Sequence, residues 1–376
     1  MRVRLGNYIK EYSVRNKAGE NIPVYSVTNT QGFCRDYFGK EVASKDKSTY
    51  KIVPKGYFAY NPSRINVGSV DWQRNEDRVI VSPLYNVFSV ANELNQQYLY
   101  YYLKSDITLH RIKSIATGSV RDNLKFDMLS EFKINLPNVN KQISIVNILD
   151  KIGMLIRKQQ TEIEKLDDLI KSRFVELFGD PIMNPKGWEV VTIGDITTEV
   201  RYGTSKPAVE GGKYPYLRMN NLTIDGHLDL TELKYIDIPD DEIEKCVVRK
   251  GDILFNRTNS IELVGKTAVF DFPDDMVIAG YIIRVRLNTK MLPEVLSQYM
   301  NLEAIKDIFR SMAKGAVNQA NINAQELQSI RVYVPDIELQ KQFVEMKEQI
   351  DKSKLLEWIN LAKKSFDLLH ERICIW

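Results

Sequence analysis

Residues Val139–Gly179 read VNKQISIVNILDKIGMLIRKQQTEIEKLDDLIKSRFVELFG, and the fold follows from how this stretch must be satisfied. Ile145, Leu149, Ile152, Ile156, Ile163, Leu166, Ile170 and Leu177 are spaced by steps of four and three, with Gln159 and Arg173 filling the seam positions between. A heptad seam of this length, with charged residues on the other faces, predicts one long helix. Its apolar stripe is too long to bury against a short neighbour, so it requires a partner helix of comparable length. Gly179 predicts a left-handed cap, Asp180-Pro181 stops the helix, and Leu136-Pro137 marks the boundary before it.

An internal repeat locates the partner. Ile134-Asn135-Leu136-Pro137 precedes the first helix, with Gln142 and Val146 inside it; Val332-Tyr333-Val334-Pro335 precedes a second, with Gln340 and Val344 at a constant offset of 198 residues. Phe343 and Ile350 begin the second seam, and Ile359, Ala362, Phe366, Leu369 and Ile373 resume it, with an expected break between Ile350 and Ile359. The expected plan is a globule over 1–137, a long helix over 138–179, a linker and second globule over 180–335, and a closing helix over 336–376.

The globules repeat each other. Leu5-Gly6-Asn7 opens the first and Ile193-Gly194-Asp195 the second. A Lys-Gly turn then feeds an apolar strand ending in Asn, at Lys55–Asn61 and Lys250–Asn256. Gln97–Leu103 matches Glu294–Met300 as a helical segment whose tyrosines pack the globule's own core in preference to stacking on bases. Each globule therefore reads as mixed α/β, and the chain as α+β.

Composition narrows the function classes. No apolar run approaches the ~18 residues of a membrane span. The first residues carry no apolar signal core, so a cytoplasmic protein is expected. Cys34, Cys246 and Cys374 have no paired spacing, and His110, His227 and His370 no ligand spacing, so neither disulfide nor metal site is expected. Residues 1–137 hold 20 Lys and Arg against 13 Asp and Glu, a net +7, whereas 181–335 hold 18 against 21, a net −3. A basic first globule suits a polyanion; the second would need local loops for it.

No catalytic centre is legible. Asp180-Pro181 continues with Ile182 and Asn184-Pro185 with Lys186, so neither is the Asn/Asp-Pro-Pro-aromatic loop of an amine methyltransferase. Phosphate-binding glycine motifs are also missing. Pro335-Asp336 with Glu345-Met346-Lys347 imitates a nuclease signature, but it falls at a helix start and on a heptad helix.

The polar loops are duplicated. Gly118, Ser119, Arg121 and Asn123 in the first globule have their counterpart in Lys314, Gly315, Asn318, Gln319 and Asn321 of the second. Gly admits close approach to a phosphate, Lys and Arg neutralise it, and Asn or Gln can pair with an adenine edge. Further DNA-contact candidates are Asn61 with Arg64, Arg257 with Asn259, and Tyr202 with Thr204 and Lys206. Lys45, Lys47 and Arg74 suit backbone contacts. The plain alternative for each is a solvated turn or a solubility charge.

The Leu136–Lys151 segment, with its Leu-Pro…Gln…Ile-Val-x-x-Leu-Asp-Lys pattern, and the Phe178-Gly179-Asp180-Pro181 exit, set in a duplicated plan, resemble the DNA specificity subunit of type I restriction–modification systems over essentially the whole chain. The resemblance implies two target recognition domains that each read half of a bipartite, asymmetric double-stranded DNA site. It implies that the long helices pair antiparallel as a spacer. It also implies two methyltransferase subunits and restriction/translocase subunits as partners. S-adenosylmethionine, ATP and Mg would belong to those partners, with no cofactor, catalytic residue or metal in this chain.

Overall fold

The computed structural model describes residues 2–35, 46–116, 123–313 and 320–370. Of the sequence candidates, Lys45, Gly118, Ser119, Arg121, Lys314, Gly315, Asn318 and Gln319 lie outside the described residues, as do the side chains of Phe366 and Leu369. The chain divides into two compact units, residues 1–158 with 360–376 and residues 159–359.

Both units contain the same sheet. In the first, Ile9–Glu11, Asn86–Val90, Phe58–Tyr60 and Val70–Trp72 lie side by side in that order, all antiparallel. In the second the order is Thr197–Tyr202, Ile282–Leu287, Ile253–Asn256 and Thr267–Val269, again antiparallel. Phe58–Tyr60 and Ile253–Asn256 are the central strands, and every residue in them is buried. The Lys-Gly turns feeding them put Gly56 at φ 84° and Gly251 at φ 89°, a region costly for residues with a Cβ. A two-stranded clamp closes each globule, Arg2–Arg4 with Lys133–Asn135 and Glu189–Thr192 with Arg331–Val334.

Helices α1 (Gln96–Lys104), α2 (Asp106–Ala116) and α3 (Phe126–Ser130) cover the first sheet, and the long α4 spans Val139–Phe178. In the second unit the short α5 (Ile243–Cys246) precedes α6 (Pro293–Met300), α7 (Glu303–Met312) and α8 (Ala324–Ser329). The closing helix α9 spans Ile337–His370. The tyrosines of α1 do pack: Tyr98 and Tyr102 are buried and donate their hydroxyls to the carbonyls of Asn135 and Lys133 on the clamp.

The two glutamines of the repeat perform the same task. Gln142 is fully buried, donating to the carbonyls of Glu93 and Pro137, both at 2.8 Å, and accepting from the Asn95 amide at 2.8 Å. Gln340 donates to Lys290 and Pro335 at 2.9 and 2.8 Å and accepts from Leu292 at 2.8 Å. Each glutamine thus ties the first turn of its long helix to the segment leading into α1 or α6. At the other end of α4, Gly179 takes φ 87°, as expected of the cap. A Cβ there would lie 2.9 Å from the Pro185 ring.

Within the second unit the long helices run antiparallel: Gln159 donates to Glu357, Lys354 meets Asp167 at 2.5 Å, and Phe174 packs on Phe343 at 5.3 Å. Ile145 is buried and Leu149 half-buried against the first globule's core, Ile170 is buried and Leu177 half-buried against the second's, and along α4 Ile152 is buried with Ile163 and Leu166 half-buried. Ile350 is half-buried against the second globule's core. Three features correct the expected seam. Arg173 is exposed and pairs with Glu176, while Phe174 and Phe178 are fully buried in the second core. A straight helix drifts ~20° per heptad against a strict seven-residue repeat, so after four heptads the inward face has moved nearly one residue. Ile156, 44% exposed, and Ile359, 53% exposed, lie off the buried face. The second seam is also continuous, through Gln340, Phe343, Lys347, Ile350, Lys354, Glu357 and Leu361. Charged residues occupy the positions where an apolar pattern finds a break.

Candidate nucleic-acid interface

The candidate surface of the second unit grows from the end of its central strand. Asn256 is fully buried and donates its amide to the carbonyls of Thr258 and Tyr281, both at 3.2 Å. It accepts from the Asn259 amide at 2.9 Å. Those bonds fold the next residues into a short strand, Thr258–Asn259, that pairs antiparallel with Ala320–Asn321. The Thr258 hydroxyl donates to Asn321 Oδ1 at 2.8 Å. Arg257 is fixed at both peptide groups, its N–H on Tyr281 O at 3.0 Å and its carbonyl accepting from Ile322 at 2.9 Å.

Its guanidinium lies over the Tyr202 ring, 4.9 Å from the centroid, and the Tyr202 hydroxyl accepts from the Ala324 amide at 2.8 Å. Tyr202 and Tyr281 remain about half exposed. Gly203 lets two backbones meet beside them, since a Cβ there would fall 2.2 Å from the Ile278 carbonyl oxygen. Thr204 follows, bridged to Ala279.

Tyr202, Thr204, Arg257, Asn259 and Asn321 are therefore brought into one neighbourhood. Lys206 turns instead to Glu242, at 2.7 Å. The amide of Asn259 is occupied at both ends, by Asn256 and by the Ser260 N–H, so it shapes the turn.

The first unit repeats the junction. Asn61 follows the central strand, and its Oδ1 accepts from the Ser63 amide and hydroxyl at 3.1 and 2.9 Å. Arg64 N–H donates to the Asn61 carbonyl at 3.0 Å, leaving the exposed Arg64 side chain on the turn. Leu124, next to Asn123, donates to Pro62 O at 3.0 Å, matching the bond between Ile322 and Arg257. Tyr60 anchors the same place: buried, it donates to Leu124 O at 3.1 Å and accepts from Asn86 at 2.9 Å. Burial pushes its phenol above the ordinary value, which keeps it a neutral hydroxyl.

Arg74 belongs elsewhere. It pairs with Asp71 at 2.8 Å and lies over Trp72 and Tyr100, at the Phe58 end of a hairpin whose Tyr60 end leads to Asn61. Lys47 is half-buried on the approach to the strand Lys51–Pro54.

Sequence reading missed Tyr281 and Thr258. Tyr281 follows the apolar run Met276–Ala279, the counterpart of Val79–Ser82 in the first globule, and that position was its one available signal. Among the described residues no group of three or more His, Cys, Asp or Glu is arranged to hold a metal ion. Lys347 of the nuclease-like string is bonded to Asp351 at 2.6 Å. No helix among the described residues is long and apolar enough to cross a membrane.

The sequence profile of a family described as type I restriction modification DNA specificity domain matches residues 4–166 and 185–361. The chain is 33% identical over 189 residues to the putative type I restriction enzyme MjaX specificity subunit of Methanocaldococcus jannaschii, covering 48% of this chain and 44% of that protein. It is 23% identical over 270 residues to the type I restriction enzyme EcoKI specificity subunit of Escherichia coli K12, covering 67% of this chain and 58% of that one. The chain thus spans about half the length of these curated relatives. A solved structure described as the structural basis underlying complex assembly and conformational transition of the type I R-M system contains a chain of like fold. Its TM-score is 0.56 at 18% identity, over 99% of this chain and 95% of that one. With one matched segment starting in each of its two globules, this chain belongs to the type I restriction modification DNA specificity domain family.

Proposed function

We propose that this chain is the DNA-binding specificity subunit of a type I restriction–modification complex and performs no chemistry of its own. Each globule reads one half of a bipartite, asymmetric site in double-stranded DNA. The paired long helices set the gap between the half-sites and dock two methyltransferase subunits, to which restriction/translocase subunits add. S-adenosylmethionine, ATP and Mg are held by those partners, and the complex works in the cytoplasm.

The observation that carries this reading is the repeated junction. In both globules an Asn-ended central strand turns back to bond with the segment around Asn123-Leu124 or Asn321-Ile322. Two copies of one polar junction on two copies of one sheet suit two readers of two short sequences. The basic charge of the first globule supports a polyanion partner.

The test is reconstitution. The purified chain alone is expected neither to cleave nor to methylate DNA. Together with its cognate methyltransferase subunit it is expected to confer N6-adenine methylation at one bipartite sequence. Turnover by the lone chain, or methylation unrestricted by sequence in the reconstituted complex, would overturn the proposal.

A further inference from the structure

We infer that Arg257, held on the Tyr202 ring, reads a guanine in the half-site bound by the second globule; this rests on the proposed function above and names one base of its target. Most guanidinium groups packed into this globule are neutralised. Arg249 is paired with Glu244 and Asp275, Arg284 with Glu199, Arg286 with Glu199 and Asp252, and Arg310 with Glu303 and Asp307. Among the described residues Arg257 has no carboxylate within 4.0 Å and no hydrogen bond at its two terminal nitrogens. Its Nε is buried and unpaired. A surface arginine serving only solubility would not be oriented in this way.

Three contacts fix the fork before any ligand arrives: the two backbone bonds of Arg257, and the Tyr202 ring beneath the guanidinium. The ring itself is anchored through its hydroxyl on Ala324. Pre-orientation favours bidentate pairing over the loose point-charge contact a phosphate accepts.

The chemistry of the fork selects the base. Asn321 accepts from Thr258 through its Oδ1, and Asn259 is bonded at both ends of its amide, so both shape the turn. The guanidinium of Arg257 offers donors only. In the major groove guanine offers two adjacent acceptors, O6 and N7, whereas adenine offers one acceptor beside a donor. A donor-only fork fits guanine and leaves adenine's amino group without a partner on it.

The experiment uses the full chain with its methyltransferase subunit. A bound sequence is selected from randomised duplex DNA, and each guanine in it is then replaced by 7-deazaguanine. One guanine is expected to respond, with wild-type affinity falling roughly 10- to 150-fold, the worth of the charge-assisted bond to N7 lost while O6 remains. Arg257→Ala should bind without regard to the base at that position, keep its other preferences, and be insensitive to 7-deazaguanine there. Arg257→Lys, which keeps charge and stem, should lose most of the same discrimination, and Tyr202→Ala should loosen it at that position alone.

The inference is overturned if no guanine responds to removal of N7. It also fails if the Arg257 variants weaken all sequences alike, as loss of a phosphate contact would. A wild-type complex that selects no sequence would overturn the proposed function itself.

Discussion

Gln142 and Gln340 show how much one side chain can hold in this fold. Each is fully buried and satisfies three backbone groups where a long helix leaves its globule. Truncation leaves those groups buried without partners. Gln142→Ala or Gln340→Ala is therefore expected to lower unfolding free energy by about 2–4 kcal/mol, read from urea denaturation of the full chain. A loss below about 1 kcal/mol would mean that water replaces the amide. The sequence showed both glutamines at equal offsets, but a glutamine letter does not say which carbonyls surround it. Arg284 was less legible still. It is fully buried inside a sheet strand, bonded to Glu199 at 2.6 Å and to the Val247 carbonyl. An Ile-Ile-Arg-Val-Arg-Leu string gives no sign of which Arg points inward. Burial alone would raise the Glu199 carboxyl, but the Arg201 hydrogen bond and the Arg284 and Arg286 charges hold it below its ordinary value. A depressed carboxyl stabilises the fold above its unfolded value of ~4.3 and loses that contribution as pH falls through the folded value. Glu199→Gln should therefore flatten the acid side of the pH–stability profile below about pH 4.3. An unchanged profile would show that other carboxylates dominate acid unfolding.

At the scale of the helix pair, the seam was readable where it is apolar and invisible where it is not. Ile145, Leu149, Ile152, Ile163, Leu166 and Ile170 announce themselves by spacing. Lys354 and Glu357 occupy seam positions too, but heptad reading takes a charge for an outward face. The lysine is accommodated because Asp167 at 2.5 Å and Asp351 at 3.0 Å surround it. Removing both partners strands a buried ammonium, so Asp167→Ala with Asp351→Ala is expected to cost about 3–5 kcal/mol. Adding Lys354→Met should restore most of that loss, because a flexible apolar chain fills the same space. If the third substitution made matters worse, packing and not charge would govern the site. The titration signs follow from the same geometry. Burial opposes both charged forms, yet Lys347 and then Lys354 hold Asp351 below its ordinary value, and Asp167 with Asp351 holds Lys354 above its own. The carboxyl contribution is present above ~3.9 and lost as pH falls; the ammonium contribution is present below ~10.4 and lost as pH rises. The stability gap between wild type and the double alanine variant should thus be widest between about pH 4 and 10 and narrow on both flanks.

For the molecule as a whole, the duplicated plan was legible because offsets survive divergence, but the place where one reader ends was not. Reading Pro181 and Pro335 as borders puts the second globule at 180–335. The packing extends further, since Ile170, Phe174 and Phe178 of α4 and Phe343 of α9 belong to the same core as Phe255, Leu296 and Phe309. The rings of Phe174, Phe178 and Phe343 meet edge-on at 4.8–5.6 Å, so each is fitted to the others. The second unit accordingly runs from Gln159 to Ile359. This decides how recognition should be exchanged between relatives under the proposed function. Replacing 181–335 alone sets a foreign core against native Phe174, Phe178 and Phe343, and each misfitted ring is expected to cost about 1–3 kcal/mol. Replacing 159–359 carries both helix segments with the core they fit. Both exchanges should change one half of the methylated site and leave the other half intact. The shorter exchange should unfold at lower urea concentration and methylate less, whereas the longer one should match the parents. Equal stability of the two hybrids would show that the aromatic trio tolerates any core. A change in both half-sites after either exchange would show that the globules do not read independently.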